Sequence, residues 1–121
     1  MKITVGEILN MKDTLKKLLD KEFSPKIAFK LSKLGIRLQE ELQSFENSRI
    51  SLLKKYGEID EKENTVSIED EEKRKECAKE IEKILMEEID IDFSPIKIDD
   101  LGDDLKLSAS DITVLNKIIK Q

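Results

Sequence analysis

The sequence predicts a mainly α-helical fold: an antiparallel helical bundle around one long helix, about residues 25–56, with a small irregular or β-containing C-terminal segment. Three observations point there. Ala28, Leu31, Gly35, Leu38, Leu42, Phe45, Arg49, Leu52 and Tyr56 recur at alternating spacings of three and four, with no proline among them. Shorter stripes of the same period lie on either side of that run. After Ile89 the period falls to two and Pro95 interrupts it. At 121 residues the chain is read as one helical domain, residues 1–121.

The first helix is expected over about 5–20. Thr4 and Glu7 form a capping box, and Ile8, Met11, Leu15 and Leu18 make the apolar stripe. Lys21-Glu22-Phe23 is short enough to fold the next helix back on the first. Ser24-Pro25 opens that helix, with serine at the N-cap and proline at the first helical position. Gly57 follows it as a natural stop. A helix over 25–56 is about 48 Å long at 1.5 Å per residue, more than a domain of this size requires. Gly35 permits close approach of another backbone, and Arg49 needs an anion or the end of the packed layer. The excess length and Gly35 together suggest a homodimer through the long helix.

Residues 57–68 read as a polar connector and the flexible loop of the chain. Ser67 is expected to cap a third helix over about 69–88, with Cys77, Ala78, Ile81, Ile84, Leu85 and Ile89 inward and the helix antiparallel to the long one. Cys77 on that stripe reads as a small buried residue. Ile89 to Phe93, Ile96 to Ile98 and Leu105 to Leu107 alternate as strands do and allow a small hairpin packed on the helices. Ser108 and Asp111 form a second capping box and open a last helix over about 109–120.

Composition narrows the chemistry. Without histidine, the commonest general base and metal ligand is missing, and Ser-His-Asp or Cys-His catalysis cannot be built within one chain. A single cysteine forms neither an internal disulfide nor a thiolate zinc site. Neither GxxxxGK[ST] nor GxGxxG occurs. No apolar run approaches the ~20 residues of a membrane span, and Met1 to Val5 lack the apolar core of a signal peptide. The expectation is a soluble cytoplasmic protein, not an enzyme, with no cofactor and no metal. Carboxylates alone can support metal-dependent or glycosidic hydrolysis, but these acids lie among turn and strand signals without a ligand pattern. Asp90-Ile91-Asp92 has only the opening spacing of a calcium loop.

Charge is divided along the chain. Residues 1–56 carry 12 Lys/Arg against 7 Asp/Glu, whereas residues 57–121 carry 10 against 20. The densest acidic stretch, 87–104, holds Glu87, Glu88, Asp90, Asp92, Asp99, Asp100, Asp103 and Asp104 against Lys97 alone. These eight are the candidate partner-binding residues. Lys26, Lys30, Lys33 and Arg37 share one face of the long helix and form a secondary basic stripe. The two could neutralise each other within the chain, or each could meet a partner of opposite charge. Nucleic acid is disfavoured by the net charge of −5 and the scarcity of stacking aromatics.

Two stretches, SPKIAFKLSKLGIRLQEELQSFENSRISLLKKYGEIDE at 24–61 and EEIDIDFSPIKIDDLGDDLKLSASDITVLNKII at 87–119, resemble a family of small proteins of tailed phages and prophages of Gram-positive bacteria. The shared layout is an EL…FE…R…L…KYG helix, a DE loop, an acidic I-D-I segment and an S-x-x-D-x-x-x-L helix. The resemblance implies a phage origin and supplies no catalytic residue. The expected function is a non-enzymatic accessory protein that binds a host protein in the host cytoplasm, for example to antagonise a defence system. The alternative is virion assembly through helix-mediated oligomerisation.

Overall fold

The computed structural model describes residues 1–60, 62–63 and 65–121, with Ile59 and Asp60 described by backbone alone. The chain is mainly helical. Strand β1 (Lys2–Thr4) leads into α1 (Val5–Leu19), and α2 (Pro25–Tyr56) is the long helix. Strands β2 (Glu58–Asp60) and β3 (Thr65–Ser67) precede α3 (Glu71–Leu85) and β4 (Glu88–Asp90). Then come β5 (Ile96–Lys97), a 3-10 turn (Ile98–Leu101), α4 (Ala109–Val114) and β6 (Ile119–Lys120).

The first capping box forms as its spacing predicts. The Glu7 amide donates to Thr4 Oγ1 at 3.1 Å, and the Thr4 amide donates to Glu7 Oε1 at 3.1 Å. The α1 helix stops at Leu19, where the Asp20 and Lys21 amides turn back to the Lys16 and Leu18 carbonyls. The start of α2 is set by Pro25 and by the Ala28 amide donating to the Ser24 carbonyl at 2.9 Å. The Ser24 side chain makes no capping bond. Gly35 does permit a close approach, but to α1: a Cβ there would meet Leu19 Cδ1 at 3.1 Å.

The core joins α1, the first half of α2 and the C-terminal segment. Ile8, Met11, Leu15 and Leu18 face Leu31, Leu34 and Leu38, and the layer is closed by Ile91, Phe93, Ile96, Leu101, Leu115, Ile118 and Ile119. Each such side chain contributes about 1.5–3 kcal/mol relative to exposure. The seam is rotated slightly from the expected one: Leu34 is buried and Ala28 is exposed. Farther along α2 only Phe45 is fully buried, and α3 buries only Cys77. Lys55 pairs with Glu80 at 3.9 Å, while Phe45 and Ser48 lie beside Ile84 and Glu87, so α3 runs antiparallel to α2 as expected.

Several sequence expectations need correction. The 57–68 connector is no featureless loop: β2 and β3 pair antiparallel, Glu58 with Ser67 and Ile59 with Val66. Glu61 and Asn64 of that connector lie outside the described residues. Gly57 is extended, with φ −120°, and its value is room: an added Cβ would meet Ser67 O and Val66 Cγ1 at 2.8 Å. Because β3 consumes Ser67, the cap of α3 passes to Asp70, whose Oδ1 accepts from the Glu72 amide at 2.9 Å, and the helix is trimmed to 71–85. The last helix ends at Val114, not 120, because Ile119–Lys120 must be extended to pair with β5.

The C-terminal alternation is correct in kind but not in partner. No local hairpin forms. Strand β4 pairs antiparallel with β1, placing Ile3 opposite Ile89, and β5 pairs in parallel with β6. The Ile91 amide donates to the Met1 carbonyl at 2.7 Å, and the Met1 ammonium donates to the Ile91 carbonyl at 2.7 Å. Ile3, which the sequence reading left outside the core, is wholly buried by this ladder.

Candidate functional site

The acidic stretch does not form one surface. Glu88 and Asp90 lie on β4 with Glu87 just before it; Glu88 pairs with Lys2 at 4.0 Å and Asp90 with the chain's ammonium at 3.4 Å. The Glu87 carbonyl accepts from the Val5 amide. Asp99 and Asp100 are exposed on the 3-10 turn, and Asp103 and Asp104 follow Gly102, whose φ of +88° suits glycine. Asp92 alone faces the middle of the basic stripe.

The basic stripe lies along the N-terminal half of α2, beside residues 91–97. Lys26 and Lys30 border a hollow shared with Pro95, Asp100 and Lys120. Lys30, Lys33 and Arg37 form one wall of a groove of about 520 Å³, with Asp92, Phe93 and Ser94 opposite. Lys30 Nζ sits 5.0 Å above the Phe93 ring, a cation–π contact that fixes the lysine against the groove floor. Arg37 pairs with Glu41 one turn along. Among the described residues no ion pair joins the stripe to the acidic stretch. Arg49 finds its anion in Glu46, with Nε donating at 2.9 Å, which holds the Glu46 carboxyl below its ordinary range.

The structure adds two residues that the sequence reading missed. Phe29 is 69% exposed and Ile36 is 61% exposed on α2. They lie about 180° from Leu31, Leu34 and Leu38 on the helical wheel. Their signal in the sequence is two large apolar residues seven apart on the face opposite the buried seam. Ile36 stands as a ridge between two hollows. On one side is the groove with Asp92; on the other is one of about 570 Å³ beside Leu19, Phe23, Leu31 and Gly35. Lys33 Nζ lies 5.7 Å from the Phe29 ring.

Cys77 is buried in α3, as its place on the apolar stripe predicts. Burial, then the charge of Glu80, pushes its thiol up, which favours the protonated form. Among the described residues, no group of three or more Asp, Glu or Cys side chains is placed to hold a metal ion. No buried side-chain polar atom among them lacks a partner. No described helix is long and apolar enough to cross a membrane. No protein-family model, curated protein or solved structure matches the chain.

Proposed function

We propose that this chain is a non-enzymatic accessory protein of a tailed phage or prophage. It binds a host protein in the host cytoplasm, and antagonism of a defence system is the role such binding would serve. The observation that carries the binding reading is the open groove of about 520 Å³ between the Lys30–Lys33–Arg37 wall and Asp92, Phe93 and Ser94. An apolar floor rimmed by charge, on a rigid helix, is the usual anatomy of a docking surface. The phage assignment rests on the resemblance of residues 24–61 and 87–119. The acidic residues of 87–104 are spread over the β1–β4 ladder, the 3-10 turn and the residues after Gly102, and are not gathered into one surface.

Pull-down from host lysate tests the reading. The wild-type chain is expected to retain one stoichiometric protein that Lys33→Glu/Arg37→Glu does not retain. Retention of nothing by the wild-type chain, or of the same protein by that variant and by one neutralised at Asp90, Asp92, Asp99 and Asp100, would sink it. The second reading, assembly through helix-mediated oligomers, is favoured by the seven-residue spacing of exposed apolar residues along α2. It predicts defined oligomers larger than a dimer by light scattering.

A further inference from the structure

We infer that the exposed face of α2 is the seat of a second copy of this chain, docked antiparallel about a twofold axis beside Ile36. This does not rest on the host-partner reading.

Phe29, Ile36, Gln43 and Ile50 recur every seven residues on that face. All four are exposed, Ile50 at 38%, within one uninterrupted helix of 32 residues. A seven-residue repeat drifts only about 20° per heptad, so the four share one line suited to another helix. The line bears an apolar ridge at Ile36 and an unfilled apolar hollow beside it, lined by Leu19, Leu31 and Gly35. A ridge next to a hollow is self-complementary under a twofold: each copy's ridge enters the other's hollow.

The charges select the direction. Lys26, Lys30, Lys33 and Arg37 lie toward one flank of the face in the N-terminal half of the helix, and Glu40 follows on the same flank. A parallel pair would set the two basic stripes at one level, with like charges adjacent. An antiparallel pair centred beside Ile36 sets Lys33 against Glu40 of the other copy, twice, and sends Lys26 toward Asn47. Neither Lys33 nor Glu40 makes an ion pair within the chain among the described residues. With Ile36 opposite its own copy, Phe29 lies opposite Gln43, a polar residue of the kind that fixes register in helix pairs, and Lys33 and Glu40 are one residue from level, within reach of an ion pair. The groove holding Asp92 and Phe93 lies to the side of this line, so a dimer would present two such grooves.

Sedimentation equilibrium of the purified full chain tests this. The wild-type chain is expected to be a dimer, and Ile36→Glu a monomer with unchanged helical circular dichroism. Lys33→Glu alone and Glu40→Lys alone should each weaken the dimer about tenfold. The double exchange should restore most of that affinity. In a Cys77→Ala background, Ile36→Cys should oxidise to a dimer with itself, whereas Phe29→Cys should link to Gln43→Cys and not to itself. A monomer at millimolar concentration, no recovery in the double charge swap, or self-linking of Phe29→Cys would each overturn the proposal.

Discussion

The two ends of α2 are held very differently. Around its first half, α1, the β1–β4 ladder, the β5–β6 pair and the C-terminal turn close a continuous apolar layer. Around its second half there are Phe45, Cys77, a short hairpin and half-buried isoleucines of α3. The helix is continuous, yet its cooperativity is not uniform. Local openings take the regions with few buried apolar contacts first. The near end therefore carries the global stability, and the distal end opens at lower cost.

The strongest way to break this contrast is to empty the near core. Leu18 is wholly buried at the junction of α1 and α2. Leu18→Ala should cost about 2–5 kcal/mol, as the removed methyls leave a cavity that the packed layer closes only in part. Urea unfolding should report that loss, and amide exchange should accelerate in α1 and the first half of α2, whose amides open with the near core, while the second half keeps the rate set by its own cheaper openings. Equal acceleration along the whole of α2 would mean that its two ends open as one unit.

Gly57→Ala probes the distal end. Its new Cβ would press on the Ser67 carbonyl oxygen and the Val66 side chain at 2.8 Å, so β3 must move. The expected cost is about 1–3 kcal/mol. It should appear as faster exchange in β3 and α3 with α1 protected as before. Equal acceleration in α1 would show one cooperative unit where the packing implies two.

The contrast also explains what could be read ahead of the structure. Features set by neighbours in sequence were legible: the Thr4–Glu7 and Ser108–Asp111 boxes, Pro25 at the start of α2, and the inward position of Cys77. Features set by distant partners were not. Ile3 reads as an ordinary residue before a cap until Ile89 is placed opposite it, and Ile119 reads as helical until it pairs with Ile96. The candidate surface was half legible for the same reason. Lysine and arginine spacing places the basic stripe, but the wall that Asp92 and Phe93 build against it depends on a segment more than fifty residues away.

A smaller effect tests how the near end is tied together. Lys117 Nζ bonds to Glu7 at 2.8 Å and to the Lys2 carbonyl at 3.0 Å, joining α1, β1 and the C-terminal turn. The lysine, with the Thr4 cap, holds the Glu7 carboxyl below its ordinary range against a desolvation that raises it. A folded-state pKa below the unfolded one gives stability that is present above the unfolded value, about 4.3, and is lost as pH falls through the folded value. Glu7→Gln should thus be less stable near neutral pH by at most about 1 kcal/mol, since the side chain is 41% exposed and screened. That difference should shrink as the pH falls below the unfolded value. A gap that stays constant with pH would assign the effect to the shape of the cap and not to the charge.

The smallest expected change in stability is at the most exposed aromatic. Phe29 and Phe45 lie on one helix, but Phe45 is buried against the distal helix and Phe29 is on the open face. In the isolated chain Phe29→Ser removes little buried area and one cation–π contact with Lys33, itself exposed, so its unfolding free energy should move by no more than about 0.5 kcal/mol. Because folding of the monomer does not need this ring, selection for packing alone gives no reason to keep it in water. Loss of self-association in a Phe29→Ser chain of unchanged monomer stability would tie the ring to that contact. A fall of several kcal/mol measured in dilute, monomeric chain would instead make Phe29 part of the near-end core and remove the open face on which the docking argument stands.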